Sequence, residues 1–322
     1  MDAFLKEKIV KFKRDSAGYV YAILATAIWS GNFVIARGLS DSISPVNLAF
    51  FRWATALLFF LPFALKSLIK DISIVRKNLL YFILTSILGV TLFNTLIYFA
   101  GHTSTAMNLS LISITFPVFI IIISRLFFGE KIKLNKGIGI VLVGFGVVTL
   151  ITKGDFLVLK NLSFSKGDLL MVGAALTFAV YSILLKKKPE NISLFAFQLA
   201  CFIIGLIFLF PFFIYENIGK EIILPSMETV YSILYVGIFA SLTAFVLWNK
   251  AILTIGPAKS GMVYYTLPLF CGLLAFLFLN EPIGLVHLFS AFLILPGIII
   301  ANYEPHHDRE DSSLKEEARK AA

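Results

Sequence analysis

Trp29 and Asn32 stand about one helical turn apart in an apolar run, and Asn94 and Tyr98 share a face at i, i+4 in another. Tyr181, Trp248, Tyr264 and Tyr265 lie in further runs of the same kind. Aromatic rings offer flat apolar walls, while amides and phenols add a few hydrogen bonds. Such a set suits the recognition of a mid-sized organic molecule rather than the breaking of bonds. Catalysis would need a nucleophile beside a base, or a metal cluster, at one place. The four histidines are scattered, and no Asp or Glu is expected deep in an apolar run. No catalytic residue, metal site or cofactor is therefore expected. Each ring or amide also has a plain structural reading: Trp and Tyr anchor helices at membrane interfaces, and Asn can simply join two helices.

The elements that must carry these residues are membrane helices. Hydrophobic residues make up 58% of the chain, charged residues 15%, and the mean hydropathy is +0.89. Soluble domains carry roughly 25% charged residues. Ten apolar runs are read, at 17–37, 46–66, 78–100, 104–127, 135–152, 167–186, 192–215, 229–250, 257–279 and 282–302. A helix of about 20 residues crosses the ~30 Å hydrocarbon core. Alternating strand patterns are missing, so the expected fold is an all-α integral membrane protein with ten transmembrane helices, not a barrel.

Orientation follows the basic residues. With the N-terminus inside, the cytoplasmic segments hold 22 Lys and Arg, against five outside: Arg37, Lys153, Lys160, Lys166 and Lys220. Both termini are thus expected in the cytoplasm, residues 1–16 being a basic leader and 303–322 a polar tail. The net charge of +9 is explained by anionic lipid headgroups without nucleic acid. The first run is too long for a cleaved signal, which points to a cell (inner) membrane. Cys201 and Cys271 read as small apolar residues, and His306 and His307 lie in the tail.

The chain also resembles itself. Shifting Gly18 to Pro62 by 149 positions puts Gly18 on Gly167, Trp29 on Phe178, Asn32 on Tyr181, Arg37 on Lys186 and Pro62 on Pro211. Shifting Ala100 to Gly146 by 151 puts Ser113 on Tyr264, Pro117 on Pro268 and Glu130 on Glu281. Each copy (17–152 and 167–302, joined by an external linker 153–166) holds five runs. An odd number inverts the second copy, the sequence mark of a secondary transporter with its site between the repeats. Pro117 and Pro268 are expected mid-helix, as kinks that act as two gates or serve only packing. Glycines 137, 139, 144 and 146 give the fifth run a smooth side for helix packing, and leave a homodimer open. Arg52 lies about two turns into the second run, and its repeat partner Cys201 is neutral. It is expected to bond backbone carbonyls, snorkel or meet an anion, with a structural role near the outer face favoured.

Three stretches carry a family likeness: Trp29-Ser30-Gly31-Asn32-Phe33, Phe50-Phe51-Arg52, and Pro117 through Phe127-Phe128-Gly129-Glu130, echoed as Pro268 through Leu279-Asn280-Glu281-Pro282. They resemble the drug/metabolite transporter superfamily, specifically the EamA-type ten-helix transporters. That resemblance implies a basket of two inverted five-helix repeats. Its central cavity would be lined by spans 1, 3, 4, 6, 8 and 9, with 5 and 10 as buttresses. Asn280 departs from the family's usual Gly, which matters only if that turn is left-handed. The expected function is alternating-access transport of a small organic metabolite, in the direction of export, with amino acids or related compounds first. The alternatives are an exchanger of phosphorylated metabolites or nucleotide sugars, with Lys250 and Arg52 as its only candidate cations, and, remotely, a membrane-embedded enzyme acting on lipid.

Overall fold

Apolar runs of this length leave the backbone one way to satisfy its own polar groups in lipid, which is to coil. The computed structural model of the chain describes residues 3–128, 134–155, 165–185, 187–219, 226–255 and 257–302, and all regular structure among them is helical. The expectations placed on Gly129, Glu130, Lys186, most of the 153–166 linker and the tail with His306 and His307 lie outside these residues.

In chain order the helices are α1 (Ala3–Gly38), α2 (Pro45–Lys77), α3 (Leu79–Gly101), α4 (Ala106–Ser113 and Phe116–Phe128), α5 (Leu134–Ile151), α6 (Lys166–Leu185), α7 (Leu194–Asn217), α8 (Met227–Leu234 through Ala244–Ile255), α9 (Pro257–Tyr264 and Leu267–Leu279) and α10 (Leu285–Asn302). Seven of them contain stretches long and apolar enough to cross a membrane, and the apolar parts of α5, α9 and α10 are shorter, at 10–17 residues. Phe63, Phe278 and Phe292 are each more than 70% exposed. A water-soluble monomer rarely leaves so much aromatic surface bare, whereas lipid accepts it.

Short polar residues start the helices where expected. Thr105, Ser193 and Ser226 each accept a hydrogen bond from the backbone N–H three residues on, at 3.1–3.2 Å, and so cap α4, α7 and α8. Pro45 opens α2, where its missing N–H costs nothing. At the other end of α9, Asn280 is left-handed (φ 52°, ψ 30°). The turn therefore does need a left-handed residue, and Asn replaces Gly because its short amide tolerates that region best among side chains bearing a Cβ.

The helices pair in a repeated pattern. Extensive interfaces join α2 to α7 and α5 to α10; α1 packs on α8 and α9 as α6 packs on α3 and α4. Aromatic rings weld the first pair, with Phe50 stacked on Phe213 at 4.1 Å and Trp53 against Phe202 at 4.9 Å. Small residues set the second. A Cβ on Gly146 would lie 2.6 Å from Ile294, and one on Gly297 would lie 3.0 Å from the Gly139 carbonyl. Gly137 and Gly144 meet nothing, so only part of the glycine stripe serves this interface.

One expectation about helix continuity is corrected. Pro117 and Pro268 are not mid-helix kinks: α4 and α9 are each broken by a turn, at 114–115 and 265–266, and each proline sits second in the new helix. There the missing N–H was not going to find a helical partner. The breaks fall at matching repeat positions. The helices α3 and α8 also widen into π-helical turns, at Ile87–Leu92 and Tyr235–Thr243. Ser241 and Thr243 bond the carbonyls five residues back, at 2.8 and 3.2 Å, as a wide turn requires.

Candidate functional site

The breaks and wide turns sit around a shared centre. Trp29 of α1, Trp248 of α8 and Tyr264 of α9 form a triangle of rings with centroids 5.3–5.9 Å apart. Tyr264 continues to Phe116 at 6.1 Å, Phe116 to Phe178 of α6 at 4.9 Å, and Phe178 to Tyr181 and to Phe93 of α3 at 5.7 and 4.6 Å. One aromatic wall thus runs through α8, α1, α9, α4, α6 and α3. All of its rings are only half-buried. The Trp29 Nε1 donates to the Ala240 carbonyl at 2.9 Å, an acceptor within the wide turn of α8. At the matching wide turn of α3, Gly89 leaves room for Tyr181, whose ring would stand 2.5 Å from any Cβ there. Tyr265 lies at the break in α9.

About one turn along α1 from Trp29 is a polar group of different character. Arg52 of α2 is 4% exposed. Its Nε donates to Ser241 Oγ at 2.9 Å, and its Nη1 donates to Asn32 Oδ1 at 2.6 Å and to Tyr98 OH at 3.0 Å. The Tyr98 hydroxyl in turn donates to Asn32 Oδ1 at 3.0 Å. The guanidinium also lies 5.0 Å from the Trp53 ring centroid. Arg52 thus neither snorkels nor bonds backbone carbonyls, as expected of it, but points into the bundle. Asn32 and Tyr98 are bound up with it. Asn94, a turn along α3, is buried, and its amide bonds no other described residue. Lys250, the other expected cation, is exposed on α8 with its Nζ 5.9 Å from the Tyr21 ring.

The end of the bundle beyond Arg52 is knitted shut. Glu281 Oε2 accepts from the Ala106 N–H, the first of α4, at 3.0 Å, and Arg37 Nε lies 3.4 Å from Glu281 Oε1. Arg37 Nη1 also reaches the Gly101 carbonyl at 3.3 Å. Burial raises the Glu281 carboxyl above its ordinary range, against the opposing pull of the Ala106 N–H and Arg37. Gly101 touches the Ala36 carbonyl, and Gly167 the Ala100 carbonyl, so closely that neither tolerates a Cβ. Asp168, in the first turn of α6, is fully buried and takes hydrogen bonds from Ser104 Oγ and, at 3.3 Å, from Asn108 Nδ2. It lies at the edge of its run rather than deep in it, and it is held buried beside a helix N-terminus and two neutral donors. From Ala106 to Thr115 every residue of α4 is buried, whereas from Phe116 to Phe127 only Val118 is.

A groove of about 360 Å³ opens elsewhere, between α2, α7 and α8, lined by Phe59, Phe63, Phe195 and Val246, with Gln198 and Asn249 among few polar neighbours. Phe59, Phe63 and Phe195 are exposed there, and none of the ring-wall residues lines the groove, although Ser241, the partner of Arg52 Nε, does.

Comparison with known proteins agrees with this architecture. Residues 16–152 match the EamA-like transporter family, and residues 165–303 match it again. The chain belongs to the EamA-like transporter family. It is therefore a multi-pass membrane transporter, embedded in a bilayer and handling small molecules. An uncharacterized transporter of Archaeoglobus fulgidus is 29% identical over 301 residues, covering 91% of this chain and 99% of the relative. The uncharacterized transporter YetK of Bacillus subtilis is 25% identical and covers 90% of this chain and 88% of its own. A solved crystal structure, described simply as that of a protein, is alike in fold with a TM-score of 0.60, at 16% identity, over 88% of this transporter and 97% of its own chain.

The residues singled out from sequence separate into two groups in the transporter. Trp29, Trp248, Tyr264 and Tyr181 join the ring wall, and Asn32 and Tyr98 join Arg52. Sequence reasoning passed over Phe93, Phe116 and Ser241. The repeat had already marked Phe178 as the partner of Trp29, and Phe116 is next to Pro117. Nothing in the sequence marked Ser241.

Proposed function

We propose that the protein is a secondary transporter working by alternating access, with ten crossings in two inverted five-helix repeats (17–152 and 167–302) and both termini in the cytoplasm of the cell membrane. The substrate is a small organic metabolite moved outward, an amino acid or related compound. It lies against Trp29, Trp248, Tyr264, Tyr265 and Tyr181, with Asn94, Asn32 and Tyr98 supplying hydrogen bonds. The observation that carries this reading is the half-buried ring wall drawn from six helices at the centre of a closed bundle. By the basic-residue rule the knitted Arg37 end faces outward, so the described state is closed outside. The breaks beside Pro117 and Pro268 let the ends of α4 and α9 swing while their other halves stay packed.

Counterflow in proteoliposomes tests it, with labelled amino acids, polyamines, nucleosides and sugar phosphates as the panel. Saturable exchange of one class is expected, falling at least tenfold in Trp29→Ala and Trp248→Ala. Full exchange in both variants would remove the rings from the site. A second reading, exchange of phosphorylated metabolites, is favoured by one observation, the inward-pointing Arg52.

A further inference from the structure

Arg52 carries a full charge into a part of the bundle that offers it no counter-charge. Among the described residues no carboxylate lies within ion-pair distance of it; the ion pair they hold is Arg37 with Glu281. Its three hydrogen-bond partners are the neutral Ser241, Asn32 and Tyr98, and all three are reached through Nε and Nη1 alone. The second terminal nitrogen, Nη2, bonds no described residue. A buried cation held only by neutral dipoles is costly, and an arriving anion would offset that cost.

The fold does not require a cation at this place. In the other repeat the matching position is Cys201, and the positions matching Asn32, Tyr98 and Ser241 are Tyr181, Asn249 and Val90. That half packs in the same pattern without any charge there. A feature present in one half alone points to something the halves do not share, such as one end of a bound molecule. Two partners of the guanidinium are also chain neighbours of the ring wall. Asn32 is about a turn from Trp29, and Ser241 follows Ala240, which accepts the Trp29 indole N–H.

We propose that Arg52 reads an oxyanion on the substrate, a carboxylate or a phosphate held through Nη2, while the organic body lies on the Trp29–Trp248–Tyr264 rings and the Asn94 amide bonds it from the side. This rests on the transport reading and narrows its substrate class to organic anions and zwitterions. A planar fork of donors is the side chain best matched to such a group. With Lys250 outside the centre, one cation suits one negative charge.

The test uses the full chain in lipid nanodiscs and matched probes: amino acids against their amides, and hexose phosphates against the free hexoses, with binding followed by calorimetry. One charged series is expected to bind saturably, with the uncharged partner about ten- to a hundredfold weaker. The series that binds tells carboxylate from phosphate. Arg52→Gln should erase the difference and leave the weak uncharged binding in place; Arg52→Lys should keep part of it; Trp29→Ala should weaken both forms alike. Equal binding of acid and amide to the unaltered protein overturns the inference, and so does full discrimination in Arg52→Gln. The first of these needs no variant, so it stands even if Arg52→Gln does not fold. Saturable counterflow without charge discrimination removes the role of Arg52 and keeps the transporter. No binding and no counterflow from any probe removes both.

Discussion

Glu281 ties three helices together at the Arg37 end, and the two ties differ in strength. Oε2 takes a charge-assisted bond from the Ala106 N–H at 3.0 Å, at the positive end of α4. Such a bond to a buried group contributes about 1.5–3 kcal/mol. Oε1 faces Arg37 Nε at 3.4 Å without a well-aligned hydrogen bond, and the Arg37 side chain is 39% exposed. Solvent leaves such a pair about 0–1 kcal/mol. Glu281→Gln keeps an acceptor for Ala106 and loses the charge, whereas Glu281→Ala loses both. The first should open this end little or not at all, since the closed form favours the neutral carboxyl that Gln mimics, and the second should raise opening about thirtyfold, at ~2 kcal/mol. The native Cys271 reports it: the thiol is fully buried and donates to the Ala106 carbonyl at 3.2 Å. With Cys201 replaced by Ser, the rate of Cys271 modification by a small membrane-permeant methanethiosulfonate measures how often α9 leaves α4. Equal rates in both variants would show that the ion pair dominates and would refute the ranking; no change in either would show that Glu281 does not hold this end. The pH dependence has a definite sign. Burial raises the carboxyl in the closed form above the ordinary value of 4.5. The closed form therefore holds its proton to higher pH than an opened, solvated one. Closure is firmest below the ordinary value and loosens as pH rises through the raised one, a trend that Glu281→Gln should flatten once the reagent's own pH dependence is subtracted.

Gly101→Ala sets a Cβ against the rigid Ala36 carbonyl; a loss of about 1–3 kcal/mol is expected, read as a lower Tm in detergent, and an unchanged Tm would mean the α1–α3 contact is slack. Asn280→Ala places a poorer residue at φ 52° and should cost about 1 kcal/mol, whereas Asn280→Gly should be neutral or better; equal melting of the two variants would deny the turn its left-handed strain.

Much of this was legible in the sequence because composition and repetition are long-range signals. Runs of apolar residues located the helices, and the two shifts paired Trp29 with Phe178 and Pro117 with Pro268 before any coordinates. What escaped was local. The breaks at 114–115 and 265–266 and the wide turns in α3 and α8 carry only scattered Ser, Thr and Gly, and Pro117 and Pro268 marked the place of the breaks without telling a break from a kink. Asp168 stands at the edge of a run, and nothing in the sequence marked that folding would bury it against Ser104 and Asn108. The partners of Arg52 come from α1, α3 and α8, up to 189 residues away in sequence, and only folding brings them together.

The wide turns of α3 and α8 have a further consequence. Each holds slack in the winding, a residue more than an ordinary helix would use over the same rise. If that slack passed along the helix, the residues it passed would rotate by about 100°, since an α-helix turns once in 3.6 residues. Trp248 lies just past the wide turn of α8, and Asn94 and Tyr98 just past that of α3. A twist of that kind would exchange the side chains facing the centre while the helix axis stayed where it was in the lipid, so the bundle could re-dress its interior without displacing the membrane around it.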